Sequence, residues 1–158
     1  IVIKSPANMV GYWNNPEATA EVFNDEGWFK SGDLGYIEDG FVYIVDRVKD
    51  MVIRGGENIS CIEVEAAIYS HPSVQESAVF GIPEERLGEA LCTSICLKPS
   101  STLNELELRE FLQGKIAAYK IPSMIRIHFN ELPRVASGKF SKKELRDEFI
   151  ALGENPDE

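Results

Sequence analysis

An α+β fold is predicted, and three features of the sequence predict it. Two β-rich runs, Leu34 to Glu38 and Phe41 to Val45, flank Asp39-Gly40, the arrangement that marks a hairpin. Further along, short apolar runs at Met51 to Ile53, Val74 to Phe80, Glu89 to Lys98 and Met124 to Phe129 read as strands. Between them lie segments with cap residues and apolar side chains at helical spacing. The expected organisation is a β-rich stretch over residues 1–48, followed by a small α+β domain over 49–158. That domain would have a roughly three-stranded sheet with helices packed on it. The first stretch is too short to close a core of its own, so it is expected to be the end of a larger domain.

Taken in order, Ile1 to Ile3 is a short strand. Asn15-Pro16-Glu17 supplies a cap, a first-turn proline and a first-turn acid for a helix running to about Phe23. The hairpin follows, and around Asp46 to Asp50 the apolar pattern gives way to Asp-Arg-Val-Lys-Asp. After the strand at Met51 to Ile53, Arg54-Gly55-Gly56-Glu57-Asn58 reads as a loop. Ser60 or Cys61 precedes a helix carrying Ile62, Ala66 and Tyr69 that ends near Ser70-His71-Pro72. A Gly-Ile-Pro turn region, Gly81 to Pro83, separates the next two strands. Asn104 can cap a helix with Leu106, Leu108, Phe111, Leu112 and Ile116 on its apolar side. Ser141 and Glu144 form a capping-box pattern for a last helix with Leu145, Phe149 and Ile150. Beyond Gly153 the chain is polar and expected to fray.

Composition narrows the function classes. The 158 residues are 44% hydrophobic and 27% charged, ordinary values for a globular protein and too apolar for a disordered one. No apolar run approaches the roughly 18–20 residues of a membrane-spanning helix. The opening Ile-Val-Ile-Lys-Ser has no starting Met, basic leader or cleavage site, so a fragment without a targeting segment is expected. With a net charge of −10, a broad nucleic-acid face is not expected. The charge is uneven. Residues 1–47 hold three bases against eight acids, a balance of −5, whereas 115–146 hold eight bases against two acids, a balance of +6. That basic stretch suits a small anionic ligand as well as it suits a solvated face. Cys61, Cys92 and Cys96 make an odd count without metal-site spacing and read as buried reduced thiols, which implies a cytoplasmic protein. His71 and His128 stand apart from any cysteine or carboxylate pattern, so no metal site is expected.

Three constellations could carry chemistry. In Ser31-Gly32-Asp33-Leu34, Asp33 could accept both hydrogen bonds of a vicinal diol, although the bare residues favour an Asx-turn that only shapes the backbone. In Asp46-Arg47-Val48-Lys49-Asp50, Arg47 offers a planar fork of donors for phosphate or sugar oxygens. The Gly55-Gly56 that follows permits positive φ or close approach of a ligand, as any tight turn would. In Leu132-Pro133-Arg134-Val135-Ala136-Ser137-Gly138-Lys139-Phe140, Lys139 sits in a loop ahead of a capped helix. Alone it would read as a surface lysine; from a mobile loop its ammonium could also reach an anion.

In this order the blocks resemble something specific. Gly11-Tyr12-Trp13-Asn14-Asn15-Pro16-Glu17 leads to Trp28-Phe29-Lys30-Ser31-Gly32-Asp33-Leu34 and then to Val45-Asp46-Arg47-Val48-Lys49-Asp50. Arg54-Gly55-Gly56-Glu57-Asn58, Tyr119-Lys120-Ile121-Pro122 and Leu132-Pro133 through Gly138-Lys139 complete the series. Over nearly its whole length the chain resembles the C-terminal part of the adenylate-forming enzymes: acyl- and aryl-CoA synthetases, peptide-synthetase adenylation domains and firefly luciferase. Ser31 stands where the family often has Thr, which keeps the hydroxyl. Met51 through Asn58 resembles the CoA-ligase branch more than the carrier-loading one.

The resemblance implies an acid–thiol ligase that activates a carboxylic acid with Mg-ATP to an acyl-adenylate and passes the acyl group to CoA. It implies that Asp33 binds the ribose hydroxyls, that Arg47 assists near ribose and phosphate, and that Lys49 is the hinge about which the small C-terminal domain turns. Lys139 would be the catalytic lysine of adenylation, and Gly55 and Gly56 would line the channel for the pantetheine arm of CoA. ATP and CoA are then substrates, with Mg2+ held mainly by ATP and by the family's N-terminal domain. That domain also carries the Ser/Thr/Gly-rich ATP loop and the acyl pocket, so this portion alone is expected to be inactive. A fatty acid is the expected substrate and an aryl acid the next. The alternatives are an adenylation domain that loads a carrier protein and a non-catalytic binding module of the same fold.

Overall fold

The structure is a computed structural model that describes residues 1–151; the expected fraying beyond Gly153 lies outside the described residues. The chain forms two compact units, Ile1–Lys49 and Asp50–Glu158.

In the first unit, β1 (Val2–Ile3) pairs antiparallel with β2 (Phe29–Lys30), and α1 spans Pro16–Val22. Asn15 caps α1 by accepting the Ala18 N–H at 3.0 Å, with Pro16 at the first helical position where its missing donor is not needed. The expected hairpin is present as β3 (Asp33–Glu38) and β4 (Phe41–Arg47). Its turn has Asp39 at φ +50° and Gly40 at φ +81°, the left-handed pair that matches the twist of the flanking strands. The unit has almost no interior. Asp46, 2% exposed, is its one buried residue, while Ile37, Phe41 and Ile44 are 75%, 68% and 63% exposed.

The second unit is built on a five-stranded sheet. Its strands are β5 (Val52–Arg54), β6 (Glu57–Ile59), β7 (Val74–Glu84), β8 (Gly88–Leu97) and β9 (Met124–His128). They run in the order β6-β5-β8-β7, with β9 parallel to β8 along residues 92–96. The helices are α2 (Cys61–Tyr69), α3 (Glu105–Leu112) and α4 (Lys142–Ala151). Alternation along the central strands sends side chains to both faces. Val79, Leu91 and Ile95 pack with Val64 and Ile68 of α2 and Leu108 and Leu112 of α3. Phe80, Cys92 and Cys96 pack with Leu145 and Phe149 of α4. The architecture is thus helix, sheet, helix in three layers, and all three cysteines are buried free thiols.

Three expectations are revised, and the buried face of α2, which the sequence left open, is fixed. The sheet gains a strand because Gly55-Gly56 is a two-residue hairpin turn, with φ +60° and +87°, and the expected loop beyond it folds back as β6. Gly81 to Pro83 is strand rather than turn. Strand β7 has a single sheet neighbour, so a proline without an N–H is tolerated on its open edge. The turn lies instead at residues 85–87. Helix α2 buries Cys61, Val64 and Ile68, and the Ile62, Ala66 and Tyr69 read on it from the sequence are exposed. Helix α3 stops at Leu112, before Ile116, and Leu106 lies on its exposed side.

Candidate functional site

In the first unit, Asp33 opens β3 and Arg47 closes β4, and the antiparallel register sets them directly opposite. The Arg47 Nε–H donates to Asp33 Oδ1 at 3.1 Å. The turn leading into Asp33 is shaped by its neighbours. The Ser31 hydroxyl accepts the Asp33 N–H at 3.1 Å, Gly32 takes φ +78°, and its carbonyl accepts the Val48 N–H at 2.9 Å. The Asp33 carboxylate is therefore not spent on an Asx-turn, contrary to the reading of the bare residues, and is directed to Arg47. Both side chains remain partly exposed and line a cleft of about 570 Å³ together with Tyr12, Phe29, Lys30, Ser31, Gly32, Val48 and Lys49. A carboxylate and a guanidinium held together, with ammonium groups beside them, can accept hydroxyl donors and hold an anion at once. A second cavity of about 720 Å³, around Tyr12, Trp13 and Phe23, has no charged side chain in its lining. Lys49 is exposed in a 3₁₀ turn, Val48–Asp50, and is the last residue of the first unit.

Gly55, Gly56 and Lys139 belong to the second unit. The Gly55-Gly56 turn is supported from the next loop: the Gly55 N–H donates to the Leu87 carbonyl at 2.8 Å. Behind it, the Glu89 carboxylate accepts the Ile53 N–H at 2.7 Å.

Lys139 lies in a tight, solvent-exposed turn. The Val135 N–H donates to the Lys139 carbonyl at 2.9 Å, and the Gly138 N–H donates to the Val135 carbonyl at 2.8 Å, with Gly138 at φ +83°. Among the described residues nothing engages the Lys139 ammonium, whereas its backbone is fixed. Two residues that sequence reasoning missed stand behind this turn. Glu76, 7% exposed on β7, accepts the Leu132 N–H through Oε2 at 2.8 Å and Arg134 Nη2–H through Oε1 at 2.5 Å. Arg134 Nη1–H donates to the Gly138 carbonyl at 2.7 Å, and its guanidinium lies 4.4 Å from the Phe140 ring centroid. A charged side chain in a strand otherwise uncharged from Val74 to Pro83 was the available signal for Glu76. Its partner, 58 residues on, could not be read from one sequence.

Burial also acts on titratable groups elsewhere in the second unit. It pushes the Cys96 thiol up, and the charges of Glu76 and Glu131 add to the effect. It pushes His128 and His71 down. Among the described residues no group of three or more His, Cys, Asp or Glu side chains could hold a metal ion, and no helix is long and apolar enough to cross a membrane.

Comparison with known proteins gives this geometry a context. Residues 63–139 match the family described as the AMP-binding enzyme C-terminal domain. The chain is 45% identical, over 92% of its length, to a 2-succinylbenzoate–CoA ligase of Geobacillus kaustophilus, of which it covers 30%. It is 43% identical, over 94% of its length, to a long-chain-fatty-acid–CoA ligase of Bacillus subtilis, of which it covers 26%. The crystal structure of ATP-bound MatB from Rhodopseudomonas palustris superposes with a TM-score of 0.88 at 36% identity, over 97% of this chain and 30% of that one. The chain thus spans less than a third of the length of these relatives.

Proposed function

From the premise that this chain carries the C-terminal domain of the AMP-binding enzymes over residues 63–139, we propose that it is the C-terminal part of an acid–CoA ligase. The whole protein activates a carboxylic acid with ATP to an acyl-adenylate and transfers the acyl group to CoA. The observation that carries the reading is Lys139: an exposed lysine, unpartnered among the described residues, on a turn whose backbone is pinned at both ends. Attack of a carboxylate on the α-phosphate brings negative groups together. An ammonium brought to the developing charge in a water-poor cleft stabilises it far more than it would in solution.

The other assignments follow the same logic. Asp33 takes the ribose hydroxyls and Arg47 the neighbouring phosphate or ribose oxygens, a division supported by their side-by-side placement on one cleft. Lys49 is the hinge, an assignment supported by the division of the chain into compact units after that residue. Gly55 and Gly56, with no side chains and left-handed backbone, leave room at a strand tip for the pantetheine arm of CoA. Residues 1–48 are the end of the N-terminal domain, which covers the apolar side chains that the β3–β4 hairpin leaves exposed, and 49–158 are the C-terminal domain. The portion alone is catalytically silent, because the acid pocket and most of the ATP site belong to the rest of the protein. Mg2+ arrives with ATP, and no residue here is given a role in holding it. Three buried free thiols support a cytoplasmic location. A fatty acid remains the preferred substrate. The 2-succinylbenzoate and long-chain-fatty-acid ligases match this chain almost equally well, so the choice of acid is made outside it.

The test is Lys139→Ala in the full-length enzyme, with the two half-reactions assayed separately. Acid-dependent ATP–pyrophosphate exchange is expected to fall by about two to three orders of magnitude, the scale of one lost transition-state donor. Thioester formation from preformed acyl-adenylate and CoA is expected to survive. If exchange is unchanged, Lys139 is a surface lysine. If the wild type never acylates CoA with any acid, a carrier protein is the acceptor.

A further inference from the structure

We propose that Glu76 and Arg134 are positioning residues that hold the Lys139 turn at a fixed angle to the sheet; this rests on the reading that Lys139 serves adenylation. The turn is closed within itself. Arg134 and Phe140 form an isolated antiparallel bridge, and the Ser141 N–H donates to the Pro133 carbonyl at 2.8 Å. Those bonds set the shape of residues 133–141 but do not orient them relative to the domain. Glu76 does so from the buried side of β7. One carboxylate oxygen takes the Leu132 N–H at the root of the turn, and the other takes Arg134. Arg134 spans the remaining distance: one guanidinium nitrogen binds the carboxylate, the other binds the carbonyl of Gly138, next to Lys139. The Phe140 ring, its centroid 4.4 Å from the guanidinium carbon, packs beside the guanidinium and restrains it.

The arrangement fixes the Lys139 backbone while leaving its ammonium unbound, as a group that must meet a distant anion requires. A planar fork is needed here, because a lysine at 134 presents a compact point charge and would not span both acceptors in the same way. Stability alone is a poor account of the arrangement. A buried carboxylate paired with an arginine is expensive to desolvate, and apolar packing at such a position is often as stable or more so. Positioning is where such a bond has its effect, since a displacement of about 1 Å in a reacting group can cost about 10²-fold in rate.

The experiment uses the full-length enzyme and four variants: Arg134→Ala, Arg134→Lys, Lys139→Ala, and the double variant Arg134→Ala with Lys139→Ala. Arg134 is partly exposed, so its replacement leaves the core packing in place. Arg134→Ala is expected to lower kcat for adenylation by about 10- to 100-fold, with KM for ATP little changed and thioester formation from preformed acyl-adenylate intact. Arg134→Lys is expected to recover only part of the loss. In the Lys139→Ala background, Arg134→Ala should cost nothing further, because the ammonium it positions is gone. Full additivity of the two losses, or an equal fall in both half-reactions, overturns the proposal. If Lys139→Ala impairs adenylation and Arg134→Ala does not, the positioning role alone fails. If Lys139→Ala is itself silent, the assignment of Lys139 fails and the positioning role with it.

Discussion

Replacing Phe149 by alanine should cost the second unit about 3–5 kcal/mol, the range for removing a fully buried phenylalanine. The structure says where the loss arises. Phe149 is fully buried on the inner face of α4 and meets the ring of Phe80 edge-on, with centroids 5.4 Å apart at 86°. The Arg126 guanidinium lies 4.6 Å from the centroid of the Phe149 ring. Truncation removes the apolar burial that seats α4, an aromatic pair worth about 0.5–1.5 kcal/mol, and a cation–π contact worth about 0.5–1 kcal/mol. Phe149→Leu separates these terms: it keeps most of the apolar volume and loses the two ring interactions, so it should cost about 1–2.5 kcal/mol. Urea unfolding followed by far-UV circular dichroism is the suitable assay, because three of the four α-helices among the described residues lie in this unit. Trp13 and Trp28 both lie in the other unit, so tryptophan fluorescence would report the wrong one. With an m-value of about 1–3 kcal/mol/M, the alanine variant should lose at least about 1 M in midpoint. A cost below about 1.5 kcal/mol for alanine, under the usual range, would mean that α4 is not seated on the sheet by this residue. Equal costs for alanine and leucine would mean that the ring contacts, not the buried volume, carry the effect.

Two further outcomes are expected. Asn104→Ala removes a reciprocal capping box, in which Asn104 Oδ1 accepts the Glu107 N–H at 3.0 Å and Glu107 Oε2 accepts the Asn104 N–H at 2.9 Å. It should cost about 1 kcal/mol in the same urea assay, and no measurable loss would show that α3 is held by Leu108 and Leu112 alone. Burial holds His128 below its ordinary pKa of 6.5, with Glu148 opposing and Arg126 reinforcing the shift, and its Nε2 is buried without a hydrogen-bond partner among the described residues. His71 is pushed down in the same direction. The unfolded chain therefore binds these protons more tightly, so their stabilisation is complete above pH 6.5 and is lost as pH falls below it toward the depressed values. His128→Phe should flatten the decline in urea midpoint between about pH 7.5 and 5.5, a window spanning the ordinary histidine pKa; an unchanged slope would assign the decline to other groups.

Parts of both units were legible because local chemistry and tertiary packing agree there. Asn15-Pro16 and Asn104 are cap signals whose side chains bond residues three positions on, within reach of a single-sequence reading; the reciprocal bond from Glu107 came only with the structure. Asp39-Gly40 marked its hairpin for the same reason: the turn needs left-handed backbone at both positions, and these residues supply it. Pro83 misled because its penalty applies to a strand paired on both sides, and whether β7 has one neighbour or two is decided by β8 and β9, not by the proline. Ile62 and Tyr69 were read as part of the α2 helix without its buried face being fixed. The stripe the sheet takes is Cys61, Val64 and Ile68, set by which side of the helix meets β7 and β8.

The candidate site divides in the same way. Asp33, Arg47, Lys49, Gly55, Gly56 and Lys139 could all be named from the order of short motifs, because each carries its chemistry in its own side chain or its lack of one. What the fold added is the way they are held. It is the antiparallel register of β3 and β4 that brings Arg47 to Asp33 across 14 residues of chain, and Ser31 that relieves Asp33 of turn duty. It is the burial of β7 that makes Glu76 an anchor, joined to Arg134 across 58 residues. The sequence by itself determined the helix caps, the Asp39-Gly40 hairpin turn and the chemical groups on offer, all properties of residues within a few positions of one another. Only the tertiary structure decided which strand edges stay open, which helix stripes are buried and which charges stand behind the Lys139 turn. Those depend on pairings between distant segments, and a hydrogen bond or a buried face exists only once both partners are in place.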